Sequence, residues 1–393
     1  MFDFDNPPSR LGTHTTKWDR YRERYGLDDV VPLWVADMDF ACLDEVRDAI
    51  AARAQHPIYG YTDVDGGLAE TVAAWERRQH RSEVDPGDIV WNTGVIYALY
   101  QLIDWLLAPS EKVIIQTPAY PPFFNTPRTL RRGVVFNPLK EEHGVWDLDI
   151  DLFRRQLDED PSIRMFILCN PHNPVGRCWS LEQMNELFAV CEQHDVLIVS
   201  DEIHADIVRP GCAHVSALRC DPRFWDRLIL LGAATKTFNL AGLKMSYTII
   251  KDHRRQRDFA ALAKANGLSS LNIFAIEAMR AAYTYGDAWK DACNAYIYDN
   301  LCYVQAHLAE HAPRIAMNIP EATYLGWMDL RALDTPDDLN ERLKREAGVE
   351  FQAGSGFGAA YAQFLRVNCA CPRATLEKGM ERFTGYLYEQ GYR

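Results

Sequence analysis

Nowhere in the 393 residues does an apolar stretch run on for the ~18 residues that a membrane-crossing helix needs. The opening residues, MFDFDNPPSR, lack the basic flank and apolar core of a secretory leader. Positive charge is in short supply: 42 Lys and Arg stand against 55 Asp and Glu, a formal net charge of −13. That balance argues against nucleic acid or an anionic membrane as partner, although an acidic chain can still hold a local basic pocket. The ten cysteines never fall into zinc-site spacing, and only Cys369 and Cys371 lie close together, so no metal is expected. Without a leader they read as reduced thiols of a cytoplasmic protein. Repeats and low-complexity tracts are missing as well, which excludes solenoid architectures.

What is present is ordinary globular composition in a chain long enough for two domains. The first 45 residues, rich in Pro, Asp and Arg, read as an arm with part of a small domain. From residue 46 to 284 the pattern alternates. Glu45–Ala54 and LAETVAAWERRQ read as helices. The apolar runs KVIIQ, IRMFILCN, VLIVSDE and RLILLGAA follow, with the helical SLEQMNELFAVCEQHD among them. Short strands that are apolar throughout, separated by amphipathic helices, predict a mostly parallel sheet covered on both faces, an α/β domain. From 285 to 393 a long helix leads to ATYLGWMDL and FLRVNCACP, two strand-like runs flanking a helix, which predicts a smaller α+β domain.

In an open parallel sheet a ligand sits beyond the carboxyl ends of the strands, so the residues after each apolar run carry the functional signal. KVIIQ leads to Tyr120, IRMFILC to Asn170 and Asn173, VLIVS to Asp201 and His204, and RLILLGAA to Thr235 and Lys236. Singly, each has a plain structural reading. Asn173 before a proline is a turn former, Asp201 a helix cap and Tyr120 a packed aromatic. Together they bring a ring, an amide, a carboxylate and a primary amine to one rim. In WNTGVIYALYQLIDWLL, Ile96, Leu99, Ile103 and Leu106 keep helical spacing, which starts a helix near Val95 behind Thr93 and Gly94. The free N–H groups of such a start attract an anion.

This set suits pyridoxal 5′-phosphate. Lys236 would form the Schiff base with its aldehyde, and Asp201 would keep the pyridine nitrogen protonated. Asn173 would donate to the phenolate oxygen and Tyr120 would stack on the ring. Thr93, Gly94, Val95 and Thr235 would hold the phosphate, with Lys244 as its cation.

NPHNPVG, SDEIHADI and TKTFNLAGLK, in that order, resemble the fold-type I pyridoxal-phosphate enzymes of the class I/II aminotransferase superfamily. More narrowly, VPLWVADMDF, YGYT, TPAYPPFF, DEIH and FLRVNCACP are similar to the MalY/PatB group of cystathionine β-lyases, or C–S lyases. The resemblance spans nearly the whole chain. It implies the fold-type I architecture and the roles just given to Lys236, Asp201, Asn173, Tyr120 and Lys244. It also implies that Tyr61 of YGYT reaches the phosphate of a neighbouring subunit in a homodimer with shared active sites. Arg366 of FLRVN would grip the α-carboxylate of an amino-acid substrate, with Asn173 and the backbone at Val35 and Ala36 lining the same site. Two positions depart from the wider family. Thr235 stands where serine is common, and His204 where many aminotransferases carry tyrosine. His204 therefore reads either as a donor near the phenolate oxygen or as a supporting residue.

The reaction this resemblance implies is β-elimination from L-cystathionine or a related cysteine S-conjugate, giving a thiol, pyruvate and ammonia. Trp34, Tyr120 and Phe123 are candidate walls for the leaving group. Transamination shares the same lysine and the same Cα deprotonation, so the cofactor motifs do not separate the two. A regulatory protein that binds another protein is a third reading.

Overall fold

The computed structural model describes residues 2–267 and 271–392. Its centre is a seven-stranded sheet formed by β1 (Ile89–Asn92), β2 (Lys112–Thr117), β3 (Gly133–Pro138), β4 (Ile163–Cys169), β5 (Leu197–Asp201), β6 (Leu228–Gly232) and β7 (Ser246–Ile250). The strand order is β1-β7-β6-β5-β4-β2-β3. All neighbours are parallel except β7, which runs antiparallel to both β1 and β6. β6 and β7 are buried at every residue and β4 at all but one. That is the pattern of strands covered on both faces.

The α/β expectation is borne out, with three strands added. The runs at β1, β3 and β7 (IVWN, GVVFNP and SYTII) mix polar residues with apolar ones, so tertiary pairing decides them. Helices cover the sheet, beginning with α1 (Gly66–Trp75), whose Asp65 caps Leu68 N–H, and α2 (Val95–Leu106). The helix Leu181–Gln193 opens on a capping box between Ser180 and Gln183. α1 continues as a wider turn, Glu76–His80, which buries both of its end residues.

Beyond the sheet, α3 (Asp287–His311) runs for 25 residues toward a three-stranded antiparallel sheet. That sheet comprises β8 (Leu325–Asp329), β9 (Gln352–Ala353) and β10 (Phe364–Asn368), with β10 in the middle. α4 (Arg373–Glu389) closes the chain's last packed layer. Near the N-terminus, Val31–Pro32 pairs in parallel with Val349–Glu350, so the segment that follows is fixed to the C-terminal part. Among the described residues no helix is long and apolar enough to cross a membrane, and all ten cysteines are free.

Candidate active site

Because β2, β4, β5 and β6 run parallel, their carboxyl ends open on one rim, and a cavity of about 540 Å³ lies there. Eleven of the residues expected from sequence line it: Ala36, Thr93, Gly94, Val95, Tyr120, Asn173, Asp201, His204, Thr235, Lys236 and Lys244. Phe123 lines it too, its ring edge-on to Tyr120 at 5.6 Å. Gly94 has φ +151°, a backbone open to glycine, and directs the chain into α2. The first N–H groups of α2 have no acceptor within the helix, and Val95, Ile96 and Tyr97 of that first turn line the cavity.

Lys236 sits on the turn after β6. Its Nζ donates to the carbonyl oxygen of Ala36, which also accepts from the Tyr324 hydroxyl at 2.9 Å. Burial lowers the amine's pKa to about 8, helped by the charge of Arg366 and opposed by Asp37 and Asp201. Asp201, at the end of β5, is buried, and one carboxylate oxygen accepts from Ile203 N–H at 3.1 Å. Burial pushes its pKa up to about 7, with Glu202 adding to the rise; the Ile203 hydrogen bond and Lys236 work the other way. His204 is buried edge-on to Tyr324, and its Nδ1 has no partner among the described residues. Burial, Lys236 and Arg366 hold its pKa well below that of an ordinary histidine, so the imidazole is neutral.

Four predicted residues, Arg366, Val35, Tyr61 and Trp34, lie outside the cavity lining. Arg366, in the central strand β10, is buried and reaches the site through two hydrogen bonds. Nη1 donates to Asn173 Oδ1 at 3.1 Å and Nη2 to the Trp34 carbonyl at 2.9 Å. Its guanidinium also stands over Phe357, 5.0 Å from the ring centre. Val35 contributes its carbonyl, which accepts from Asn368 Nδ2 at 2.5 Å. Tyr61 is fully exposed, so this chain does not bring it to its own site. Trp34 likewise lines no part of the cavity; its indole packs under Arg20.

Sequence reasoning missed the residues that hold these groups in place. Asn368 ties the Val35 and Asp37 carbonyls, and it alternates with Arg366 along β10, so both fall on one face of the strand. That parity was a usable signal. Tyr324, two residues before Gly326 in β8, gave none. Asp206 accepts from Thr237 Oγ1 at 2.7 Å, from Trp75 Nε1 at 3.0 Å and from His80 Nε2 at 3.0 Å. It thereby joins the loop that follows Asp201 and carries His204 to the residue next to Lys236. From the N-terminal arm, Arg10 and the fully buried Lys17 hold Asp37 and Asp39, at 2.7 Å in the two contacts with Asp39.

A doubly covered, mostly parallel sheet with an amine, a carboxylate and a helix start at its carboxyl rim is the arrangement of a pyridoxal-phosphate enzyme of fold type I. The chain belongs to the aminotransferase class I and II family, whose family profile matches residues 28–383. It is 37% identical over 386 residues to cystathionine beta-lyase PatB of Bacillus subtilis (strain 168), covering 98% of this chain and 100% of that protein. It is 34% identical over 384 residues to protein MalY of Escherichia coli (strain K12), covering 97% of each. Cystalysin from Treponema denticola, solved with a pyridoxal 5′-phosphate cofactor, superposes with a TM-score of 0.95 at 29% identity, covering 99% of this chain and 100% of that one. The pyridoxal-phosphate-bound C–S lyase from Staphylococcus hominis gives 0.92 at 30% identity and covers 98% of both chains. The family and fold read from the motifs are borne out.

Proposed function

We propose that this protein is a pyridoxal 5′-phosphate-dependent carbon–sulfur lyase acting on L-cystathionine or a related L-cysteine S-conjugate. The observation that carries the reading is the pairing, across one cavity, of the Lys236 amine with the buried Asp201 carboxylate, beside the start of α2. Full-length similarity to the cystathionine beta-lyase PatB and to a C–S lyase of solved structure supports the choice of reaction.

The donor set fits the cofactor. Asp201 is a buried carboxylate with no side-chain hydrogen bond among the described residues, as a protonated ring nitrogen requires. His204 Nδ1 is buried and unpartnered. The α2 start, Thr93 and Thr235 offer donors for a phosphate, with Lys244 at the same wall. When bound, pyridoxal 5′-phosphate supplies an electron sink that acidifies the substrate Cα and lets the bond from Cβ to sulfur break.

The chain's own residues do the rest. Arg366 presents a planar fork to the substrate α-carboxylate, fixed by Asn173 and the Trp34 carbonyl. Lys236 Nζ takes the proton from Cα as general base. With its pKa at about 8, a usable fraction of the amine is unprotonated near neutral pH. The proton gained there is available to the departing sulfur. The products are a thiol, pyruvate and ammonia, with water consumed in forming the last two. Tyr120 and Phe123 line the same cavity and would wall it beside the cofactor.

The exposed side chains Ile58, Tyr59 and Tyr61, with Tyr97 and Tyr100 at the cavity's lining, favour a homodimer in which Tyr61 serves the neighbouring site.

The deciding experiment uses purified, cofactor-loaded protein whose mass is first measured by light scattering, with L-cystathionine and no keto acid. Sustained pyruvate with stoichiometric thiol supports the reading. Conversion of the cofactor to its amine form without pyruvate establishes a transaminase instead.

In cofactor-free protein the Lys236 amine is expected to acetylate with an inflection near pH 8, well below the roughly 10.4 of an ordinary lysine. The sign follows from burial, which disfavours the ammonium form, so the nucleophilic amine appears at lower pH. The check is mass spectrometry of the Lys236 peptide across a pH series; an inflection near 10 refutes the environment described for it.

A further inference from the structure

A second concavity, of about 470 Å³, lies against the loop that follows β5, between the end of α1's wide turn and α3. Among the residues lining it are three buried polar side chains: His80, Asp206 and His214. Four cationic side chains line it as well: Arg81, Arg209, Arg219 and Lys290. Against them stand only Asp206 and Asp291. In a chain with a net charge of −13, a concavity of this sign runs against the overall charge balance.

Both carboxylates are already committed. Asp206 receives His80, Trp75 and Thr237, and Asp291 pairs with Lys290 at 2.8 Å. Arg81, Arg209 and Arg219 make no ion pair among the described residues. Arg209 hydrogen-bonds Tyr298, yet its Nε is buried without a partner. His214 is 8% exposed; its Nε2 meets Glu202 at 2.8 Å, while its Nδ1 is buried and unpartnered. Burial works against a charge on His80, but its hydrogen bond to Asp206 and the charges of Glu76 and Asp206 raise its pKa to about 9, so it too is cationic. Guanidinium groups without a carboxylate partner, one of them with its buried Nε–H unsatisfied at Arg209, are the groups that recognise oxyanions.

We propose that this concavity, lined by Arg81, Arg209 and Arg219, is a binding site for a small oxyanion carrying two negative charges. A phosphate monoester and a short dicarboxylate share that chemistry. The site is separate from the cavity at Lys236, with which it shares no lining residue.

The test is calorimetric titration of the cofactor-loaded full-length protein with inorganic phosphate and, separately, with succinate. Loading fills the phosphate donors at Thr93–Val95, so phosphate does not bind there, and any succinate held by Arg366 is recognised because substitution of Arg219 or Arg209 leaves it unchanged. Saturable binding tighter than about 10 mM is expected for at least one probe. Phosphate alone would assign a phosphate ester, and succinate alone a dicarboxylate. Arg219→Glu, at an exposed position that folding tolerates, is expected to weaken binding at least about tenfold, and Arg209→Ala to do the same. No binding by either probe, or binding unchanged in both variants, overturns the proposal. Neither result bears on pyruvate release, which tests the catalytic reading separately.

Discussion

Lys236→Ala is expected to lower pyruvate release from L-cystathionine by at least about 10⁴-fold, the upper range for loss of a positioned general base. The variant removes two functions with one atom group. It deletes the only amine among the residues lining the central cavity apart from Lys244, and with it the covalent hold on the cofactor. Borohydride treatment of the native protein should fix cofactor to the Lys236 peptide, whereas the variant should release it on gel filtration. The fold should survive, because the deleted side chain makes one hydrogen bond, to the Ala36 carbonyl, and Tyr324 still satisfies that oxygen. A variant that keeps turnover within tenfold of native would refute the role given to Lys236. Melting like that of the cofactor-free native protein, with lost turnover, is the expected outcome.

The second large effect is expected for Arg366→Leu. Two charge-assisted hydrogen bonds to the substrate carboxylate, at about 1.5–3 kcal/mol each, amount to a fall of about 10²–10⁴ in kcat/KM. Most of it should appear in KM, since the carboxylate is bound in ground and transition states alike. Arg366→Lys restores charge without the fork and should recover only part of the loss. Burial lowers the guanidinium's pKa only to about 10, so it stays charged near neutral pH. Its removal has a second consequence of definite sign. Arg366 helps to lower the pKa of Lys236, so in the cofactor-free Arg366→Leu protein the acetylation inflection of Lys236 should move up from about 8. Because the side chain is buried and supports Asn173 and Trp34, a melting curve accompanies the kinetics. A KM within threefold of native in a folded variant would show that the carboxylate is held elsewhere.

Much of the site was legible because its chemistry is carried by local words at strand ends. A carboxylate two residues from an apolar run, or a lysine in a turn of small residues, stands out whatever surrounds it. Asp201, Asn173, Tyr120 and Lys236 were readable for that reason, and the cavity contains all four. The strands β4, β5 and β6 were equally plain, since a run buried on both faces has to be apolar at every position. β7 was not: SYTII reads as a strand only once its antiparallel partners Ile89–Asn92 and Ile229–Gly232 are beside it. Arg366 and Tyr61 came from the family resemblance, not from spacing. The first reaches the site through Asn173, 193 residues away in the chain. The second is fully exposed in this chain, away from the cavity.

By itself, then, the sequence determined an α/β sheet, the order of its central runs and the groups able to do the chemistry, because periodicity and strand-end composition are local properties. Only the tertiary structure decided how the segment from Trp34 to Asp37 is held. Its carbonyls are gripped by Tyr324, Arg366 and Asn368 from the far end of the chain and by the amine of Lys236. Its acid side chain is clamped by Arg10 and Lys17. The same holds for Asp206, which unites Trp75, His80 and Thr237 on one carboxylate. Hydrogen bonds between residues separated by tens to hundreds of positions leave no periodic trace, since any polar residue can make one and only the closed fold selects which does.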